Sequence, residues 1–417
     1  MRPVASLCDG RWLTRRRIGI AAAILLAVQI AGFAFIVAGT HGWITPLKGP
    51  TTTDFVSFYA AGRLAEAGTP ALAYDRAAHL AAEEQVAGIG IVYQFFNYPP
   101  VYLLLCAVLA MLPYLLAFVA FETATLVLYL CVATRILGER SGVALVVLLG
   151  FPMVFWNFGI GQNAFLTAGL FGAATLVIDR RPVVAGLFFG TLCYKPQFGL
   201  MVPLALAAAG QWRAFAAAAV SATVLVLLSL ALFGAGTWQA FLEVAGNSPA
   251  MYESGRILFV GMANSFGAAR LLGAGPPLAY AMQAVASLAA AGVVVAVWRR
   301  GLGLPTRAAT LAAATIVAAP LALFYDLMLA AIAAAWLVRD RGSPAAAGWE
   351  SAVLAALYLV VLDGRGLAEH WRVPAFPLAA IVLLALAAAR AWREMTASPG
   401  DAGLAAARGE PSCGAPD

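Results

Sequence analysis

The stretch Ile18–Ala38, which reads IGIAAAILLAVQIAGFAFIVA, is a long apolar run directly after Arg15-Arg16-Arg17. About 20 such residues are enough to cross the hydrocarbon core of a bilayer as a helix. The run is longer than the core of a secretory signal and lacks a small-residue cleavage pattern. It is therefore expected to be a retained membrane anchor that leaves residues 1–17 in the cytoplasm.

The rest of the chain is also strongly apolar. Of its 417 residues, 63% are hydrophobic and 11% are charged, whereas soluble domains carry about 25% charged residues. The charged residues stand between further apolar runs, near 98–112, 114–134, 142–157, 161–178, 183–210, 214–233, 277–298, 308–338, 349–362 and 375–392. The pattern predicts an all-α polytopic membrane protein, with about 11–13 membrane helices within residues 18–392 and no separate soluble domain.

Basic residues mark the ends of these runs. The net charge is +6, and Lys48 and Lys195 are the only lysines among the 26 basic residues. The arginines form flanking pairs such as Arg180-Arg181 and Arg299-Arg300, which orient membrane helices and do not form the clustered face of a nucleic-acid-binding protein. The five Cys and three His are scattered, so no disulfide framework, metal site or cofactor is predicted.

Two stretches are expected on the exterior face. Residues 40–97 separate the anchor from the next apolar run, and their acidic side chains outnumber the basic ones, as is typical of exterior loops. The second exterior stretch covers 235–275. Residues 393–417 are rich in Gly, Ala and Pro and are predicted to be a disordered cytoplasmic tail.

The first exterior stretch carries signals for two helices. Thr51, Thr52 and Thr53 can cap a helix that is led by Asp54 and ends at Ala67, and Asp75 can cap a second helix that ends at Gly88. The stop signals are Gly68, Pro70 and Gly88. Two amphipathic helices lying at the membrane surface are therefore predicted.

Two apolar segments, 183–210 and 308–338, have basic residues at both ends and a polar break in the middle. The breaks are Lys195-Pro196-Gln197, and Pro320 followed by Tyr325-Asp326. A simple span should not be basic at both ends, so each segment is predicted to be a hairpin with its tip pointing outward. Because helices of 12–15 residues rise about 18–22 Å, the tips would end in a protein-lined cavity within or near the membrane.

The order of the apolar runs creates one conflict with the rule that basic loops lie in the cytoplasm. If 98–112 and 114–134 both cross the membrane, Arg135 and Arg140 lie outside, against the charge rule. The sequence leaves two alternatives, a re-entrant segment at 98–112 or an exceptional loop.

Asp54 stands in the stretch TDFVSFYAAGR at residues 53–63. In one interpretation its carboxylate stabilises the helix N-terminus by about 0.3–1 kcal/mol. In the other it is a general base, because partial desolvation by Phe55, Phe58 and Tyr59 would raise its pKa toward a useful value. Both remain open from the residues alone.

Lys195 lies inside an apolar segment, where an ammonium is costly unless it is paired. It could neutralise a phosphate, snorkel to the interface, or pair with Asp326, which is equally out of place. The two amides of Gln162-Asn163 could bind sugar hydroxyls or belong to a simple turn. Arg256 and Arg270 are either a phosphate clamp or solvated loop charges.

Taken in chain order, these motifs resemble glycosyltransferase family 87, the polyprenyl-phosphate-mannose-dependent mannosyltransferases of the membrane-embedded GT-C superfamily. The resemblance covers about residues 50–340. It rests on Asp54-Phe55 through Tyr59 and Arg63 with Gly68 and Tyr74, Tyr98-Pro99-Pro100 with Leu112-Pro113, Gly161-Gln162-Asn163, Lys195-Pro196-Gln197, Asn264-Ser265 with Arg270, and Pro320 with Tyr325-Asp326.

The resemblance implies a GT-C-like bundle that transfers a hexose, typically mannose, with inversion from a polyprenyl-phosphate donor. The acceptor would be a lipid or glycan at the exterior face of a bacterial inner membrane, and Asp54 would be the general base. The leaving phosphate needs positive partners, a role open to Lys195 and Arg270. The predicted substrate-binding residues are Tyr59, Arg63, Tyr98, Gln162, Asn163, Gln197, Asn264, Tyr325 and Asp326. The competing hypothesis is a transporter or lipid flippase that uses Lys195 and Asp326.

Overall fold

The computed structural model describes residues 12–41, 53–255, 257–339 and 344–396. Within these ranges the regular structure is helical and no β-strand forms, which confirms the predicted all-α class. An isolated bridge joins Met262 to Leu323. The predicted caps Thr51 and Thr52, the phosphate-clamp candidate Arg256 and the tail beyond Thr396 lie outside the described residues.

The helices follow one another in short segments. In chain order they are α1 (Arg15–Gly39), α2 (Phe55–Glu66), α3 (Arg76–Ala87), α4 (Pro100–Ala110), α5 (Tyr114–Leu137), α6 (Gly142–Leu149), α7 (Pro152–Ile160), α8 (Ala164–Val177), α9 (Pro182–Thr191), α10 (Pro196–Gly199), α11 (Met201–Ala208), α12 (Trp212–Glu253), α13 (Ser265–Leu271), α14 (Pro276–Arg299), α15 (Leu304–Ala318), α16 (Met328–Arg339), α17 (Pro344–Val360), α18 (Gly364–Trp371) and α19 (Ala375–Thr396). A break at Gly234 divides α12.

Among the described residues, six helical segments are long and apolar enough to cross a membrane. They are α1, α5, α12, α14, the joined α17–α18 and α19. The pair α6–α7 makes a seventh if its 56° bend is counted within one span. Shorter apolar helices, namely α4, α8, α9, α10–α11 and α15, pack among them. The chain is therefore an integral membrane protein, as its composition predicts.

The start of α1 lies beside the end of α5. Arg15, the first residue of α1, pairs with Glu139, two residues beyond α5. Arg339, at the end of α16, donates hydrogen bonds of 2.9 and 2.8 Å to the backbone carbonyls of Arg135 and Ile136. The ends of these helices therefore meet at one basic end of the bundle.

The helix α4 is too short to cross a membrane by itself. With 25 and 24 residues, α1 and α5 rise about 37 and 36 Å, enough for each to cross. Because the start of α1 meets the end of α5, the chain between these helices makes no net crossing. The 11 residues of α4 rise only about 16 Å. Of the two alternatives left by the sequence, this arrangement favours the re-entrant one, and Arg135 lies at the basic end.

Both predicted helices of the first loop are present. The side chain of Asp75 caps α3 by accepting a 2.8 Å hydrogen bond from Ala78 N–H, and α3 ends before Gly88. However, α2 does not lie on the surface, because its residues from Phe55 to Gly62 are buried. It packs so closely on α4 that a Cβ built on Gly62 would lie 2.1 Å from the carbonyl oxygen of Cys106.

Both predicted helix breaks also occur. Lys195 separates α9 and a 3-10 turn at Leu192–Tyr194 from α10, and a 3-10 turn at Phe324–Leu327 follows the break after α15. The helices α15 and α16 pack on each other as the two arms of a hairpin. By contrast, α9 packs mainly on α8 and α12 while α11 packs mainly on α14, so the arms of the first segment diverge.

Candidate functional site

The turn between α7 and α8 fixes Asp54 through both its main chain and its side chain. Asp54 N–H donates a 2.6 Å hydrogen bond to the carbonyl of Ile160. Its Oδ2 accepts a 2.6 Å hydrogen bond from Nε2 of Gln162. The carboxylate makes no capping bond to α2, and the hydroxyl of Thr53 bonds to that of Tyr114 at 2.9 Å. The carboxylate is therefore held by the turn and does not cap the helix that it precedes.

Local sequence explains the shape of this turn. Gly161 has a φ of 70°, a left-handed conformation that favours glycine, and a Cβ there would lie 2.6 Å from Cβ of Phe55. The side chain of Asn157 braces the turn by donating 2.8 Å to the carbonyl of Gln162 and accepting 2.9 Å from Ala164 N–H. The turn thus presents the amide of Gln162 to Asp54.

Two buried polar side chains behind the turn, Glu122 and Asn157, were not among the predicted site residues. Nδ2 of Asn157 lies 3.3 Å from Oε2 of Glu122 on α5, and both side chains are fully buried. A hydrogen-bonded chain therefore runs from Glu122 through Asn157 and Gln162 to Asp54. The signal was present, since an acidic residue inside an apolar span is by default a functional or paired group.

Tyr98, from the first loop, forms with Asp54, Gln162 and Asn163 a group that we call the Asp54 cluster. Its hydroxyl donates a 3.3 Å hydrogen bond to Oε1 of Gln162. Its ring lies 4.6 Å from that of Tyr102, which in turn stacks on Tyr194 at 5.3 Å. The side-chain amide of Asn163 lies against the hydroxyls of both Tyr98 and Tyr102. Tyr102 and Tyr194 were not predicted, because an aromatic residue in an apolar helix carries no distinguishing signal.

The two helix breaks meet beside Tyr98. Nζ of Lys195 lies 2.8 Å from Oδ1 of Asp326, and the two side chains are 4% and 6% exposed. Oδ2 of Asp326 accepts a 3.0 Å hydrogen bond from Leu323 N–H. The ammonium also lies over the rings of Tyr325 and Tyr98, at 5.3 and 5.9 Å. The ion pair considered from the sequence thus forms, at the edge of the Asp54 cluster.

Burial adjusts the basicity of Asp54. The carboxylate is half-buried, and the resulting loss of hydration raises its pKa from 3.8 to about 6. The hydrogen bond from Gln162 and the positive charge of Lys195 act in the opposite direction. A carboxylate with this pKa is mostly ionised at neutral pH and is still a useful proton acceptor.

Two predicted residues on α2 face away from this cluster. The hydroxyl of Tyr59 donates a 2.7 Å hydrogen bond to the carbonyl of Leu112, and so ties α2 to the segment that follows α4. Arg63 is exposed and pairs with Glu66 at 3.0 Å. In these positions both side chains support the first-loop helix.

Residues 235–275 supply two further predicted residues. Asn264 caps α13 and donates a 2.6 Å hydrogen bond to the carbonyl of Pro320, which joins this stretch to the break after α15. Arg270 donates to the carbonyls of Ala274 and Glu253 at 2.7 and 3.1 Å. Gln197 lies half-buried on α10. Of these three, Asn264 is the one bonded to a segment that carries the Asp54 cluster.

Comparison with known proteins gives one match. A family model described as glycosyltransferase family 87 matches residues 95–323. The matched region contains Tyr98, Gln162 and Lys195, whereas Asp54 and Asp326 lie just outside it. No curated protein and no solved structure matches the chain. Within the described ranges, no group of three or more His, Cys, Asp or Glu side chains is placed to hold a metal ion.

Proposed function

The chain belongs to glycosyltransferase family 87 and is a membrane glycosyltransferase, and we propose that it transfers the hexose mannose from a polyprenyl-phosphate donor with inversion at the anomeric carbon. The acceptor is a lipid or glycan at the exterior face. The observation that carries this proposal is the half-buried carboxylate of Asp54, held at 2.6 Å by Gln162. It lies where the first-loop helix, the α7–α8 turn and the two helix breaks meet.

Asp54 acts as the general base. It takes the proton of the acceptor hydroxyl as that oxygen attacks the anomeric carbon of the donor sugar. The bond between the anomeric carbon and the phosphate oxygen breaks, and the polyprenyl phosphate leaves with the electron pair. Because a phosphate leaves without being protonated, a single carboxylate suffices, unlike the pair that glycoside hydrolases use. Its pKa of about 6 suits a base that operates near neutral pH.

Lys195 is the cation that we assign to the leaving phosphate. An ammonium has three N–H donors, and Asp326 occupies one of them at 2.8 Å. A preorganised positive charge in a poorly hydrated site stabilises the charge that develops on the leaving group. Asp326 orients this ammonium. Arg270 remains a second candidate, although its guanidinium is engaged with backbone carbonyls of the second stretch.

Three neighbouring polar side chains of the cluster are suited to bind sugar hydroxyls. The side-chain amide of Asn163 lies against the hydroxyls of Tyr98 and Tyr102, and the hydroxyl of Tyr98 also bonds to Gln162, the partner of Asp54. Amides and hydroxyls both donate and accept hydrogen bonds, so these groups can exchange their mutual contacts for bonds to sugar hydroxyls. We assign the recognition of the donor sugar to Asn163, Tyr98 and Tyr102.

The orientation follows from charge. The charge rule assigns the basic end of the bundle to the cytoplasm, so the Asp54 cluster faces the exterior. The 12 residues of α16 rise about 18 Å between Asp326 and Arg339. The ion pair therefore lies within the roughly 30 Å hydrocarbon layer, where the headgroup of a lipid donor can meet it while the prenyl chain stays in the bilayer. Membership of a glycosyltransferase family favours this function over the transporter or flippase hypothesis.

The direct test uses the purified protein in nanodiscs. Polyprenyl-phosphate mannose, glucose and galactose would each be supplied with lipid and glycan acceptors, and the anomeric configuration of the product read by NMR. We expect transfer from the mannosyl donor with inversion at the anomeric carbon. If no polyprenyl-phosphate hexose is either transferred or hydrolysed, the proposed donor class is wrong.

A further inference from the structure

A cavity of about 690 Å³ opens at the basic end of the bundle. The ends of α5, α8 and α16 and the start of α15 surround it, so it lies at the opposite end of these helices from the Asp54 cluster. Four arginines line it, namely Arg135, Arg180, Arg181 and Arg339. The glycosyl-transfer site does not include this cavity.

The positive charge of the cavity is not compensated by the described carboxylates. Its one acidic lining residue, Asp179, pairs with the mostly buried Arg307 at 2.6 Å. Among the described residues none of the four arginines forms a salt bridge. Arg339 and Arg135 donate to backbone carbonyls, which leaves their charge intact. Arginines that merely flank spans need not share a cavity, so topology alone does not account for this convergence.

The rest of the wall is apolar. Leu176, Val177, Leu304 and Trp336 contribute to it, and α8 ends at Val177, where the chain turns toward the arginine pair 180–181. The cavity thus offers cations beside an apolar surface at a helix end, which is the arrangement that recognises a phosphate headgroup with attached acyl chains. Arginine suits this role because its planar fork binds phosphate oxygens in pairs.

We propose that this cavity binds the phosphodiester headgroup of an anionic phospholipid, with the acyl chains along its apolar wall. A free phosphate would meet the same arginines but would leave the apolar wall uncovered. The lipid is therefore the occupant that fits both surfaces. This site is independent of the donor site and would persist in a variant that cannot transfer sugar.

The test compares two double variants of the full chain. Arg180→Gln/Arg181→Gln removes two arginines of the cavity, whereas Arg16→Gln/Arg140→Gln removes two exposed arginines of the same basic end that do not line it. Lipid retention would be measured by native mass spectrometry with phosphatidylglycerol, phosphatidylcholine or soluble glycerophosphate. A basic residue near an anionic lipid contributes enough that losing two should weaken retention of phosphatidylglycerol about 10- to 30-fold. The control variant should match the native protein.

Three outcomes would overturn the proposal. These are equal losses in both double variants, equal retention of phosphatidylcholine, and binding of glycerophosphate as strong as that of the lipid, which would make the site one for free phosphate. The variant Arg180→Lys/Arg181→Lys keeps both positive charges and serves as a control for misfolding of the glutamine variant. It should retain more phosphatidylglycerol than the glutamine variant at the same thermal stability, and a lysine variant as weak as the glutamine variant would contradict the assignment.

Discussion

Lys195 and Asp326 are separated by 131 positions in the chain, yet Nζ of the lysine lies 2.8 Å from Oδ1 of the aspartate. Each stands at a break in an apolar helix, and each is almost completely buried. The pair thus holds two broken segments together at the level of the Asp54 cluster. Its structural role and its proposed role toward the leaving phosphate can be separated by experiment.

Removing one partner of a buried ion pair typically costs about 3–5 kcal/mol, because the other charge is left uncompensated. Lys195→Met and Asp326→Leu should therefore each lower the melting temperature, and the double variant should recover most of the loss. We expect the double variant to remain inactive, since the phosphate still lacks its cation. Arg365→Met breaks an exposed pair of 2.7 Å and should have little effect. Transfer activity that returned with stability in the double variant would make the pair structural only.

The helices and their breaks could be predicted because their signals are local. Apolar runs, the cap at Asp75 and the prolines at 196 and 320 each act within a few residues. The position of α2 could not be predicted in the same way. Its apolar pattern indicates a buried face, but only the fold shows that α4 covers that helix.

The residue types of the candidate site could be proposed from the sequence, whereas the contacts between these residues could not. Asp54 and Gln162 are 108 residues apart, and no spacing rule relates them. The Lys195–Asp326 pair was one of several alternatives, because a buried charge needs a partner without specifying it. Glu122 is also a charged residue inside an apolar span, but no sequence motif adjoins it, so it was not among the predicted site residues.

Asp54 should impose a pH dependence on transfer. Only the carboxylate accepts a proton, so kcat/KM should rise about tenfold per pH unit below the pKa and level off above it. The hydrogen bond from Gln162 favours the charged form and lowers the pKa. Gln162→Leu should therefore move the midpoint from about 6 to higher pH, and activity at pH 6 should fall more than activity at pH 8. Gln239→Leu, on α12, should leave the profile in place. A midpoint unchanged by Gln162→Leu would mean that this amide does not tune the base.

The close contact between α2 and α4 should be sensitive to one methyl group. A Cβ at Gly62 would lie 2.1 Å from the carbonyl oxygen of Cys106 and 2.9 Å from Cβ of Ala110, and a backbone atom cannot rotate away. Gly62→Ala should cost about 1–3 kcal/mol, as overpacking does, and should lower kcat because Asp54 precedes the displaced helix. The measurements are thermal unfolding and single-turnover transfer.

Gly32→Ala on α1 is the matched control for this change. A Cβ there meets no atom within 4 Å, and alanine is the better helix former by about 1 kcal/mol. That variant should be neutral or slightly stabilised. If Gly62→Ala behaved in the same way, the α2–α4 contact would be looser than the structure shows.

The role of Asp54 is best tested with two conservative variants of the first loop. Asp54→Asn keeps the size of the side chain and an oxygen that can accept the bond from Gln162, but removes the basic carboxylate. Loss of a positioned base typically slows the reaction 10²- to 10⁴-fold. Stability should not fall. Because the folded-state pKa is raised, the ionised carboxylate is disfavoured in the folded state, so the melting temperature at pH 8 should be equal or higher. Asp75→Asn also removes a first-loop carboxylate while keeping a capping oxygen, and it should retain activity. Substantial transfer by Asp54→Asn at normal expression would mean that Asp54 only orients the turn, and that another group accepts the acceptor proton.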